Sequence, residues 1–123
     1  MKNSQTPPVT HQILITGHFQ NGKLDLKDAS GNDGSTITVD SDDDVIWTNM
    51  DPHIDIDDII EDNSTDHFKQ KPASANNWHA KVDGYSDGRT HVIKYAINWH
   101  TAGGEAQTHD PLIRINPHQV GQL

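Results

Sequence analysis

At 123 residues the chain has the size of one domain, with enough length for one core and not for two. Zero cysteines exclude disulfides, thiolate metal sites and cysteine nucleophiles together, and a net charge of -9 disfavours nucleic-acid backbones and anionic membrane surfaces as partners. Only 32% of residues are apolar, yet they collect in short runs such as 13–15, 45–47 and 112–115, as a folded domain with generous polar loops requires.

The polar, two-proline stretch 1–11 is expected to be a flexible N-terminal segment, 12–118 one domain, and 119–123 a tail. No apolar stretch has signal-peptide or membrane-span length, so the chain as written reads as soluble, and export is expected only if a signal has been removed.

Gln12 to Phe19 alternates with Ile13 and Ile15 on one side, Asn21-Gly22 supplies a tight hairpin turn, and Lys23 to Lys27 returns. Ser30 to Ser35 reads as a loop. Thr36 to Val39 and Asp44 to Asn49 form the next pair, with Ile37, Val39, Val45 and Trp47 on a buried face. His53 to Asp57 alternates again, Ile54 and Ile56 inward. Asp58 to Lys71 is ambiguous, and Ser64 before Phe68 permits a short helical turn.

Trp78, Ala80 and Val82 then alternate with His79, Lys81 and Asp83, and Gly84 to Gly88 turns. His91 to Trp99 carries Ile93, Tyr95, Ile97 and Trp99 on one face, the strongest core strand in the chain. A polar loop, His100 to Asp110, leads to Leu112 to Asn116 with Ile113 and Ile115 inward. Seven to eight short strands of this kind predict an all-β fold, a small Greek-key β-sandwich of two packed sheets.

The run Ile37-Thr38-Val39, a turn, Val45-Ile46-Trp47-Thr48-Asn49 and Asp51-Pro52-His53 resembles the early part of cupredoxins, where a Val-x-Trp-x-Asn strand leads to a histidine. Tyr95-Ala96-Ile97-Asn98-Trp99, a loop and Pro111-Leu112-Ile113-Arg114-Ile115 resemble their final hairpin, so the resemblance spans roughly 36–116. It implies a cupredoxin-like sandwich with His53 in the first ligand position and Trp99 where blue-copper proteins carry cysteine. Without a cysteine, and with neither methionine in the final loop, type 1 copper electron transfer is excluded.

His53, His100 and His109 remain at that corner, a set able to bind Cu(II) or Zn(II) if all three converge. Histidines on a polar surface are more often solvated bystanders, and with nine in the chain some accidental proximity is expected. The stretch 40–66 holds 11 of the 18 acidic residues and no Lys or Arg, which suits either a cation or basic partner or a merely solvating face. His53, Asp55 and Asp57 stand about 6.5 to 7 Å apart along one strand face, too far to share one ion unaided. Asp40 to Asp44 is a loop that could instead gather calcium oxygens.

Three motif matches carry less. Gly84-Tyr85-Ser86-Asp87-Gly88 fits the G-x-S-x-G nucleophile pattern, but a strand follows where a helix is needed. Asp28 to Gly34 misplaces its glycine for an EF-hand. Asn63-Ser64-Thr65 is a glycosylation acceptor only on a secretory route. The expected function is therefore a non-catalytic binding or structural module without a cofactor, not an enzyme, whose partner is a protein or small ligand. The alternative is a copper or zinc binder using His53, His100 and His109.

Overall fold

The computed structural model describes residues 7–62 and 66–118. They form an all-β sandwich of ten strands: β1 (Thr10–His18), β2 (Leu24–Asp28), β3 (Thr36–Asp40), β4 (Asp44–Asn49), β5 (Ile54–Glu61), β6 (Phe68–Gln70), β7 (His79–Val82), β8 (His91–Thr101), β9 (Gln107–His109) and β10 (Leu112–Asn116). One sheet has the order β2-β1-β4-β7-β6, the other β3-β10-β8-β5 with β9 beside β8. Two pairs, β1 with β4 and β3 with β10, are parallel, and the other pairs are antiparallel. No helix among these residues is long and apolar enough to cross a membrane.

The core follows the predicted alternation. Ile13, Val45, Trp47, Ala80 and Val82 from the first sheet and Val39, Ile93, Tyr95, Ile97, Trp99, Ile113 and Ile115 from the second form one cluster, each at most 2% exposed. Apolar side chains from both inner faces remove each other from water, which holds the sheets together.

Several expectations are corrected at the edges. Ten strands replace seven to eight, because Phe68–Gln70 and Gln107–His109 each form a short strand of their own, while His100 and Thr101 continue β8 against β5. The polar loop therefore shrinks to 102–106. β1 begins at Thr10, two residues before the expected domain start, since Thr10 pairs with Asp44 and the Val9 N–H reaches the Asp43 carboxylate. The rest of the expected flexible segment, residues 1–6, and the tail 119–123 lie outside the described residues. The helical turn proposed at Ser64 and the acceptor pattern 63–65 also lie outside them.

The hairpin closes differently from the two-residue turn expected of Asn21-Gly22. Only Gly22 has positive φ (+86°), the Gly22 N–H donates to the Phe19 carbonyl, and the Phe19 N–H donates to Lys23. This is the three-residue loop with glycine in the left-handed position. Trp78 is not a strand residue: Asn77 and Trp78 both adopt left-handed φ, 58° and 57°, so β7 starts only at His79. A short 3-10 turn, Ser74–Asn76, precedes them.

Candidate functional site

Three connections meet at one end of the sandwich: the β1–β2 hairpin, the β4–β5 turn and the β8–β9 hairpin. His53 precedes Ile54, which pairs with Thr101 at the end of β8, so the turn and the hairpin are neighbours as expected. Trp99 points into the core there, 2% exposed, and its indole N–H donates to the Gly22 carbonyl at 3.2 Å. The His18 ring lies 5.0 Å from the Trp99 ring. Above them opens a small groove of about 140 Å³ whose lining includes His18, Phe19, Gly22, Trp99, Thr101 and Gln107.

Gly22 is needed at this contact. Its φ of +86° is one that side chains with a Cβ rarely adopt, and a Cβ would also displace the Gln107 side-chain oxygen, 2.7 Å away. Two large apolar side chains stand in water at the same end: Phe19 is 53% exposed and Met50 60%. Their places follow from the backbone, since Phe19 follows β1 directly and the Met50 N–H donates to Ile15 of β1 at 2.8 Å.

The three histidines proposed as ligands do not gather. His53 is exposed in the β4–β5 turn. His100 lies on the outer face of β8, with Nδ1 2.9 Å from an Asp57 oxygen and Nε2 3.6 Å from Asp55, and the Asp57 hydrogen bond raises its pKa. His109 faces inward, 6% exposed: its Nδ1 accepts the Leu24 N–H at 3.2 Å, and Nε2 lies 3.2 Å from the Ser35 hydroxyl. Both ring nitrogens are thus engaged, and the Nδ1 contact fixes a neutral ring with its proton on Nε2. Among the described residues no group of three or more His, Asp or Glu is arranged to hold a metal ion.

His109 therefore works as a clasp between β9, the start of β2 and the loop before β3. Burial pushes its pKa below the ordinary value, and Lys23 adds to that. The unfolded chain takes up this proton near pH 6.5 while the folded chain resists it. Its contribution is then complete above about pH 6.5 and is lost progressively as pH falls toward the lower folded value. His100, raised by Asp57, has the opposite sign: its contribution is present at low pH and lost as pH rises through the folded value. In urea titrations from pH 5 to 8, His109→Gln is expected to flatten the rise of stability with pH, and His100→Gln to steepen it. Equal slopes in all three proteins would remove the clasp.

The acidic stretch is largely committed to internal partners. Asp42 holds Lys69 at 2.7 Å and His118 at 3.0 Å, and the Lys69 hydrogen bond draws its pKa down. Asp43, 3% exposed, accepts from the Val9 and Asp40 N–H groups and meets His11 at 2.8 Å. Asp44 lies 3.3 Å from both Lys81 and His79. These basic partners come from distant segments of the chain, so this part of the one-sided run is matched in space. Asp55, Asp57 and Asp58 on β5 face outward, and Asp40, Asp62 and Asp66 are exposed as well.

Sequence reasoning missed a ring cluster in the second half of the chain. Tyr85 stacks on His91 at 3.7 Å and 19°, its hydroxyl bonds His67 Nδ1, and His91 Nε2 is 2.8 Å from Asp87. Burial and the surrounding carboxylates push the Tyr85 hydroxyl up to about 12, so it stays protonated. The backbone N–H of Arg89 and then His91 hold Asp87 low. The rings secure the Gly84 to Gly88 loop, which leads into β8; Ser86 is exposed with no helix behind it. Residue spacing gave no signal for this cluster, which draws on three separate segments. Set against models of known protein families the chain matches none, and no curated protein is significantly similar to it in sequence.

Proposed function

We propose that the chain is a non-catalytic, cupredoxin-like Greek-key module that binds a protein partner through the sandwich end carrying Phe19 and Met50. The observation that carries this reading is the exposure of those two side chains, 53% and 60%, at one end of the sandwich, where Phe19 also lines the groove over Trp99. Large apolar side chains grouped in water mark contact surfaces more often than solitary ones do.

Support for the cupredoxin-like assignment is local. The Val45 to Asn49 strand leads through Asp51-Pro52 to His53 at the same end as the β8–β9 hairpin, and Trp99 stands where the resemblance places the copper thiolate. A buried indole bonded to Gly22 supplies packing there instead of a metal ligand. The engagement of both His109 nitrogens inside the fold likewise favours binding without a cofactor over a copper or zinc site.

The test pairs Phe19→Ser with Met50→Ser, which should leave the melting temperature within a few degrees because both side chains are exposed. A partner captured by the wild-type chain should bind the double variant at least about tenfold more weakly, as loss of apolar anchors implies. Undiminished binding moves the contact elsewhere. A rise in melting temperature with micromolar Cu(II) or Zn(II) that vanishes in His53→Ala/His109→Ala overturns the reading in favour of a metal-binding protein.

A further inference from the structure

Among the described residues the two sheets end on β2, β6, β3 and β5, with three-residue β9 as a further short edge, and all but β3 are guarded. The outer side of β2 is covered: Gly34 N–H donates to Leu26, Lys27 bridges Asp33, and the Leu24 N–H goes to His109. β6 has only three residues and an irregular register with β7. β5 is broken by a bulge between Ile56 and Asp58 and carries Asp55, Asp57 and Asp58 outward. Short length, bulges and charges are the ordinary means by which edges avoid pairing.

β3 has no bulge and, apart from Asp40 at its end, no outward charge. Its five residues pair with β10 without a register shift, and its outward side chains are Thr36, Thr38 and, at the end, Asp40. The Leu112 N–H donates to Ser35 and the Ser41 N–H to Asn116, so the odd-numbered residues bond β10 and the even-numbered ones present their backbone to the open side. Among the described residues no hydrogen bond reaches the outward N–H and C=O of Thr36 and Thr38. The Asp40 N–H is taken by Asp43. Beside this edge lies a groove of about 410 Å³ lined by Thr36 to Thr38, Thr10 to Gln12 and Asp28 to Ser30, so among the described residues the edge stands open.

We propose that β3 pairs antiparallel with β3 of a second copy of the chain, across a twofold axis at Thr38. In that register Thr38 faces Thr38 of the other copy, and Thr36 faces its Asp40. Up to about four backbone hydrogen bonds form between outward groups. The Asp40 carbonyl, which already accepts the Asp43 N–H on one lone pair, accepts on its second while the Asp40 N–H stays with the Asp43 carboxylate, so no donor is orphaned. The net charge opposes any self-association, and β3 is the edge that adds least to that repulsion while matching its own outward backbone groups. In a chain of net charge -9, β5 set against itself would gather carboxylates, whereas β3 brings neutral threonines to the axis and no acid opposite an acid. The contact is small, so the dimer is weak and reversible, and added salt strengthens it by screening the net charge.

Sedimentation of the full chain up to a concentration on the order of 1 mM tests this. The wild type should shift from monomer to dimer, more so in salt. Thr38→Lys, which sets two ammonium groups together at the axis, should associate at least about tenfold more weakly. A fluorescently labelled Thr38→Lys chain should return to the dimer when unlabelled Thr38→Glu is added, because only a twofold through Thr38 pairs those side chains. Unchanged melting temperatures show that both variants fold. A monomer at every concentration, a dimer indifferent to Thr38→Lys, or no recovery in the mixture each overturns the proposal.

Discussion

Trp47→Ala is expected to lower stability by about 3–5 kcal/mol, among the largest effects of any single substitution in this chain, because it opens a cavity as well as losing transfer energy. Trp47 is 2% exposed on β4 and touches elements of both sheets. Its ring meets Tyr95 of β8 edge-on at 5.3 Å and Phe68 of β6 at 6.3 Å, geometries that aromatic quadrupoles favour. Its indole N–H donates to the Tyr95 hydroxyl at 3.2 Å. Alanine removes the ring and leaves that hydroxyl, buried and with its pKa raised by burial, without its indole donor.

Two milder variants separate the terms. Trp47→Phe keeps most of the volume and is expected to cost about 1–2 kcal/mol, near the price of the lost hydrogen bond plus a small void. Tyr95→Phe should cost less than Trp47→Ala, and the double variant Trp47→Phe/Tyr95→Phe less than the sum of its parts, since each single change strands the other polar group. Equilibrium denaturant titration reads all of these. A loss below about 1 kcal/mol for Trp47→Ala would mean that the indole does not join the sheets.

The core was legible in the sequence because strand alternation is local. Ile13 and Ile15, Val45 and Trp47, and the odd positions from Ile93 to Trp99 announce their shared faces by period two alone. Where alternation breaks, the reading breaks. The bulge after Ile56 shifts parity within β5, so Ile59 and Glu61 turn inward and Ile60 outward, and the stretch looked ambiguous. β9 carries one buried side chain, His109, and a polar residue facing inward looks like a loop residue. Trp78 looked like a strand member because a left-handed backbone leaves no trace in its neighbours' polarity.

The site was less legible, for a different reason. Strand pairing alone brings His53 and the β8–β9 hairpin to one end, since Ile54 pairs with Thr101. Whether an imidazole faces solvent or the core depends on pairings between distant residues, such as His109 with Leu24 and Ser35. The same holds for the acidic stretch, whose partners Lys69, Lys81, His11 and His118 lie far along the chain. Charge runs describe sequence neighbours; potentials depend on spatial ones.

Asp43→Ala should rank with Trp47→Ala, at about 3–5 kcal/mol, the range for removing one partner of a buried charged network. The carboxylate is 3% exposed at the corner where β3 leaves one sheet and β4 enters the other. One oxygen accepts the Val9 N–H at 2.9 Å, the other the Asp40 N–H at 2.9 Å and His11 Nε2 at 2.8 Å. A single side chain thus fixes the start of β1, the end of β3 and the turn between β3 and β4. Alanine cannot fill those roles, and its methyl leaves amide donors facing a space with no acceptor. Asp43→Asn keeps the shape and one acceptor oxygen but turns its NH2 toward at least one N–H donor, so it should lose about 1.5–3 kcal/mol, less than alanine. Amide hydrogen exchange distinguishes this corner from a general loss of stability: at matched overall stability in mild denaturant, Val9 and Asp40 should exchange faster in Asp43→Ala while Ile97 and Ile113 in the core do not. Uniform acceleration at all four amides would show that Asp43 has no local holding role.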